Sequence, residues 1–155
     1  MYLDEKTIKI ATNPQNVGTI KNAYKETIVN PVCGDMTDLY LKIKNEKIID
    51  AKFQTVGCFV TIASASVLTE VVKGKTIQEL IEGRNPKEKI KNLFEKITIN
   101  LGEIPKQKLH CPPASIEALL KIFKQYYQAE TETNKVNEIN RLLKIIPGYY
   151  KKRSL

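Results

Sequence analysis

From Asp38 to Thr55 the chain alternates apolar and polar positions with a period of two, the spacing of strands that bury one face. Leu39, Leu41 and Ile43 point one way and Tyr40, Lys42 and Lys44 the other. After a tight turn at Asn45-Glu46, Ile49, Ala51, Phe53 and Thr55 alternate against Asp50, Lys52 and Gln54, so the two runs pair as an antiparallel hairpin. A first strand is expected near Thr27 to Val29, reached by a loop from Thr19. A short helix over residues 3–11 ends at Asn13-Pro14, because proline disfavours helical geometry in the residue before it.

After Cys58 the period becomes helical. Ile62, Ser66, Thr69 and Val72 fall on one side and Ala63, Val67, Leu68 and Val71 on another, with Ala63 to Ser66 small enough for close approach to a sheet. Lys73-Gly74-Lys75 closes this helix, and Thr76 with Glu79 forms a capping box for a short helix ending near Gly83. Asn85-Pro86 opens another, carrying Ile90, Leu93, Phe94, Ile97 and Leu101 and stopped by Gly102. A loop to Lys108 delivers His110 and Cys111, and Pro113 or Ala114 starts a helix with Ile116, Leu119, Leu120, Phe123 and Tyr127 on its apolar stripe. Tyr126 and Tyr127 are expected to close an edge of the core. Beyond a polar break, Val136, Ile139, Leu142, Leu143 and Ile146 form a last amphipathic segment, ended by Pro147-Gly148, that docks on the body or on another subunit.

At 155 residues the chain is long enough to bury a core without disulfides. No apolar run approaches the roughly 20 residues of a membrane span. The opening MYLDEKTIKI has early acids and no apolar core of a secretory signal, so a cytoplasmic protein is expected. The net charge of +8 raises nucleic acid as a partner, but the lysines are dispersed. The one tight basic cluster is Lys151, Lys152 and Arg153, and no helix-turn-helix, zinc-finger or RNP signature accompanies it. Acidic protein surfaces are the better match.

The chemistry rests on three cysteines, which cannot all pair within one chain and which in a reducing compartment serve metal or redox chemistry, or pack as small hydrophobes. Each stands at a loop or element end. Cys33 lies two residues before Asp35, Cys58 follows Gly57, and Cys111 follows His110, the sole histidine. The hairpin returns Cys58 to the end of the sheet from which the Cys33 loop departs. The first-turn amides of the following helix favour a thiolate at Cys58. Three thiolates with Asp35 or His110 complete four ligands, as a tetrahedral zinc or a 2Fe-2S cluster requires. Taken singly, Asp35 also reads as a turn residue and His110 as a structural histidine.

The stretches Asn30-Pro31-Val32-Cys33-Gly34-Asp35, Gly57-Cys58 with Ile62 to Ser66 and Thr69-Glu70, and Lys108-Leu109-His110-Cys111 together resemble the IscU/NifU-type iron-sulfur cluster assembly scaffolds. Asn13 to Gly18 is similar to that family's NPxNVG segment, Val72 to Lys75 matches as well, and the resemblance runs from about residue 3 to 128. It implies an α+β fold: a three-stranded antiparallel sheet with helices packed on it and the site at one exposed end, to which the last amphipathic segment adds an extra C-terminal helical tail. Residues 1–129 would form the scaffold domain and 130–155 the extension.

The resemblance further implies a protein that turns over no substrate of its own. Such a scaffold takes persulfide sulfur from a pyridoxal-phosphate cysteine desulfurase, binds iron, builds a transient 2Fe-2S cluster and passes it to apo-proteins. Carried over by position, Cys33, Cys58 and Cys111 are cluster ligands, Cys111 is the persulfide acceptor, and Asp35 and His110 are exchangeable fourth ligands. Zinc would suit the same donors. Whether the scaffold works as a monomer or homo-oligomer is left open.

Three departures bear on this. Where relatives served by a dedicated Hsp70-type chaperone carry LPPVK, this chain has Ile104-Pro105-Lys106-Gln107-Lys108, so the resemblance does not carry chaperone-driven transfer over. Phe59 replaces a small residue beside Cys58 and narrows the site. The stretch from Gly74 to His110 is longer than usual, as in a SufU-like subgroup of zinc-dependent sulfur acceptors that stimulate a desulfurase; that subgroup lacks the histidine, which is present here. The chain is expected to be the scaffold module alone, with an added tail.

Overall fold

The computed structural model describes residues 2–151. Lys152 and Arg153 of the basic cluster lie outside the described residues. A short helix α1 (Glu5–Thr12) precedes three strands, β1 (Tyr24–Val29), β2 (Met36–Lys44) and β3 (Lys47–Val56). The helices α2 (Phe59–Val72), α3 (Ile77–Leu80), α4 (Pro86–Thr98), α5 (Pro112–Ala129), α6 (Thr133–Leu143) and α7 (Ile146–Tyr150) follow. The sheet is antiparallel in the order β1-β2-β3. The expected α+β architecture is present, with α2 and α5 packed on the sheet.

The alternation explains which face is covered. Ile28, Leu39, Leu41, Ala51 and Phe53 are buried against the helices, while Lys25, Lys42 and Gln54 face outward. Burying a side chain such as Leu39 or Phe53 contributes about 1.5–3 kcal/mol. Ile49 is a correction. Between Lys42 and Ile43 the pairing shifts from Asp50 to Ile48, so a β-bulge adds one residue to β3 and flips the side-chain phase. Ile48 is therefore fully buried and Ile49 is 46% exposed.

Other boundaries move for local reasons. β1 begins at Tyr24 because the whole stretch to Val29 pairs with β2, from Leu41 to Met36. α4 stops at Thr98, before Gly102, although Leu101 remains buried. Pro147 does not end the last segment; it sits in the first turn of α7, where the missing amide proton costs nothing. α6 and α7 dock on the body, burying Ile139, Leu142, Ile146 and Tyr150 in the same core as the sheet, and Tyr149 stacks on Phe94 at 4.1 Å between ring centroids.

The Asn13 to Gly18 segment finishes the edge of β3. The Phe53 amide donates to the Asn16 carbonyl (3.0 Å) and Gly18 donates back to the Phe53 carbonyl (2.8 Å). The Gln15 amide donates to Ser66 Oγ (2.9 Å) and Asn16 Nδ2 to Thr69 Oγ1 (3.1 Å), which ties this edge to α2. The segment thus ties β3 to α2, and Cys58 stands at the junction between those two elements.

Candidate metal and cluster site

Three chain segments meet at one end of the sheet. The β1–β2 loop carries Cys33 and Asp35; its turn is closed by Gly34 donating to the Asn30 carbonyl (2.9 Å) and Asn30 donating to the Asp35 carbonyl (2.8 Å). Gly34 takes φ +80°, a left-handed conformation that glycine accepts without steric cost. Cys58 caps the N-terminus of α2, where helix amides favour negative charge, and Cys111 precedes α5, whose first two residues, Pro112 and Pro113, offer no amide proton. Asn30, itself 2% exposed, clamps two of these segments together. Its Nδ2 donates to the His110 carbonyl (2.8 Å) and its Oδ1 accepts from the amides of Val32 (2.9 Å) and Cys33 (3.4 Å).

Of the five residues expected here, Asp35, Cys58 and Cys111 place their ligand atoms within 4.8 Å of one another. Cys33 and His110 stand outside that group of three. Cys33 is exposed at the rim, and His110 is buried, its carbonyl held by Asn30. The Cys58 and Cys111 sulfurs are 3.6 Å apart. Two thiolates on a tetrahedral zinc with bonds of about 2.3 Å would be separated by about 3.8 Å, so this pair already stands near a metal-binding spacing.

Asp35 is gripped by its surroundings. Its Oδ2 accepts from Thr61 Oγ1 at 2.7 Å and from the Cys58 amide at 3.1 Å. Gly57 is what lets the carboxylate settle there, since a Cβ on Gly57 would lie 2.6 Å from Oδ2. Partial burial opposes the charge, but the Thr61 hydroxyl and the Cys58 amide outweigh it and hold the carboxyl below its ordinary pKa.

The two facing sulfurs share one proton. The Cys111 thiol donates to Cys58, the dominant influence, and burial opposes it; the Thr61 amide and the charge of Lys108 add to the effect and bring the Cys58 pKa down to about 5. Cys111, 1% exposed, is pushed up because it supplies that hydrogen bond and is desolvated. Cys33 is raised as well, by the burial it has, opposed by the Asp35 amide, and by the neighbouring Asp35 carboxylate. At neutral pH the metal-free site therefore holds one thiolate at Cys58 beside an ionised Asp35. Soft sulfur with one hard oxygen is a donor set that fits zinc or an iron-sulfur unit.

The family model described as "NifU-like N terminal domain" matches residues 2–133. The chain belongs to this IscU/NifU-type scaffold family. It is 39% identical over 140 residues to the iron-sulfur cluster assembly scaffold protein IscU 1 of Archaeoglobus fulgidus, covering 90% of this chain and 85% of the relative. It is 35% identical over 131 residues to the IscU scaffold protein of Escherichia coli, covering 81% of this chain and 94% of the relative. Among solved structures, a NifU-like N-terminal protein from Brucella abortus shares the fold with a TM-score of 0.61 at 18% identity, covering 81% of this chain and 94% of that one. A putative SUF-system scaffold from Fervidobacterium islandicum does so with a TM-score of 0.56 at 23% identity, over 75% and 92%.

Within this scaffold fold two residues carry contacts that sequence reading gave no role. Asn30 had a signal, since it opens the NPVCGD stretch, but its grip on the His110 carbonyl spans 80 positions of chain. Thr61 had a weaker one: it lies three residues after Cys58, which on a helix beginning at Phe59 puts it in the first turn beside the sulfur.

Proposed function

We propose that this protein is an iron-sulfur cluster assembly scaffold that accepts persulfide sulfur, binds iron, assembles a 2Fe-2S cluster and hands it to apo-proteins. The observation that carries the reading is the gathering of Asp35, Cys58 and Cys111 within 4.8 Å at an exposed end of the sheet. The chain's own residues hold and release cargo rather than turn over a substrate, so we assign no enzymatic activity. A cysteine desulfurase and recipient apo-proteins are its partners, in a reducing cytoplasm that keeps the cysteines as thiols.

In sulfur delivery, an acceptor thiolate attacks the outer sulfur of a donor cysteine persulfide. A new S–S bond forms, the donor's S–S bond breaks, and the donor leaves as a thiolate with no net redox change. Cys111 is the acceptor in this reading. Because it is buried and protonated while Cys58 is ionised, the donor must uncover it and the shared proton must pass to Cys58. Iron then finds sulfur donors at Cys58 and Cys111, with Cys33 at the rim and His110, the neighbour of Cys111 in the chain, completing the set as the cargo grows.

Asp35 supplies the means of release, since an oxygen donor holds soft iron-sulfur units less tightly than a fourth sulfur would. Anaerobic reconstitution with iron, cysteine and a desulfurase should give a 2Fe-2S absorption and Mössbauer spectrum, and transfer to an apo-ferredoxin. Asp35→Ala should lengthen the cluster's lifetime; equal or faster loss would remove the release role.

The 3.6 Å sulfur spacing also favours a second reading, a SufU-like zinc-bound sulfur acceptor that stimulates a desulfurase. Tightly held zinc and a persulfide on Cys111, with no cluster under any loading condition, would establish that reading instead.

A further inference from the structure

We infer that Thr61 is a positioning residue: its hydroxyl holds the Asp35 carboxylate toward the two facing sulfurs, and the site's affinity for metal depends on Thr61 through Asp35. The inference rests on the metal-binding reading of this site.

α2 carries four buried hydroxyl residues, and three of them serve the backbone. Ser64 donates to the Val60 carbonyl (2.6 Å), Thr69 to the Ser66 carbonyl (2.7 Å), and Ser66 accepts from the Gln15 amide (2.9 Å). The first two are the back-bonding that a serine or threonine inside a helix ordinarily makes, and Ser66 holds the segment at the edge of β3. Thr61, 2% exposed, is the exception. It reaches out of the helix to Asp35 Oδ2 at 2.7 Å, with Cys58 Sγ at 3.5 Å on its other side.

A hydroxyl has one proton to give. The carboxylate is nearer and ionised, so the proton goes to Asp35, and the Cys58 sulfur is left as the alternative acceptor. Asp35 is thus fixed from three directions, by the hydroxyl, by the Cys58 amide at 3.1 Å and by the bare Cα of Gly57. Of these, only the hydroxyl can be removed without disturbing the backbone. Groups that orient a metal ligand in this way typically alter metal affinity by 10–100-fold when lost.

The test is a double-mutant cycle read by zinc affinity, with the full chain titrated against a chromophoric chelator. Thr61→Val keeps the branched shape and removes the donor; it should weaken zinc binding about tenfold or more. Thr61→Ser keeps the donor and should restore wild-type affinity at an unchanged thermal midpoint. In an Asp35→Ala background Thr61→Val should have no further effect, because the coupling runs through the carboxylate.

An undiminished affinity in Thr61→Val, or the same loss with Asp35 absent, overturns the inference while wild-type metal binding leaves the scaffold reading standing. A wild-type chain that binds neither zinc nor iron overturns both.

Discussion

The two ends of the sheet are made by the same three strands and finished in opposite ways. At the hairpin end the Asn45-Glu46 turn is covered: the Glu46 amide donates to Tyr126 Oη (2.9 Å), Lys135 pairs with the Glu46 carboxylate (3.0 Å), and the Ile77 amide donates to the Glu46 carbonyl (3.0 Å). At the cysteine end Val29, Met36 and Val56, aligned across all three strands, are 60%, 43% and 75% exposed. There the polar contacts go to Asp35, to the sulfurs and to the loops that carry them. One end uses its hydrogen bonds to close the fold, and the other uses them to shape a site that stays open. Both ends rest on the same ladder, whose register sets where β2 and β3 present Asp35 and Cys58.

The sharpest way to break this comparison is to ask whether the cysteine end is as reactive as its wiring implies. In the reduced, metal-free chain Cys58 ionises at about 5, where an ordinary cysteine does so near 8.5. Iodoacetamide at pH 6.5 should therefore label Cys58 first, Cys33 slowly despite its exposure, and Cys111 least, as read by peptide mass mapping. First labelling at Cys33 would mean that access, not charge, governs the site. The sign for stability follows from proton counting. Between pH 5 and about 8.5 the folded sulfur pair holds one proton and the unfolded pair two, so the pair's contribution grows as pH rises through that window. Above it the unfolded chain loses both protons while Cys111 keeps its own, and the contribution falls again.

A smaller effect separates holding the loops from binding the cargo. Asn30→Ala removes the buried hydrogen bonds to the His110 carbonyl and from the Val32 amide, which should cost about 1–3 kcal/mol in urea unfolding. It should also weaken zinc binding, since the Cys33 and Cys111 segments lose their shared anchor. Lost stability with unchanged zinc affinity would show that the sulfurs find their places without Asn30.

How much of this could be read from the chain alone follows the range of each signal. The hairpin was legible because period-two alternation is local, and the capping at Thr76 and Asn85 because it spans three residues, with Glu79 and Glu88 as the amide donors. The bulge was not legible, since Ile48 and Ile49 are equally apolar and only pairing with Lys42 and Ile43 decides which goes inside. The ligand set was legible from motif chemistry and order along the chain. Its inner geometry was not: that Asp35 faces Cys58 and Cys111 while Cys33 stays at the rim depends on contacts more than twenty positions apart. The docking of α6 and α7 was undecided for a similar reason, because an amphipathic stripe states that a face is buried without stating what buries it.

The smallest expected effect lies at the closed end and tests whether the two ends are independent. Lys135 and Glu46 are each 34% exposed, so solvent screens their ion pair, and Lys135 also sits 5.2 Å from the Tyr127 ring centroid. Lys135→Met keeps much of the apolar stem and removes the charge; the loss should be below about 1 kcal/mol and should shrink in high salt. Zinc affinity should not change, because Glu46 and the cysteines occupy opposite ends of β2 and β3 and the register between them is held by the ladder itself. A loss of zinc affinity in this variant would mean that the turn sets the geometry of the site through the strands, and the division between a closing end and a binding end would have to be given up.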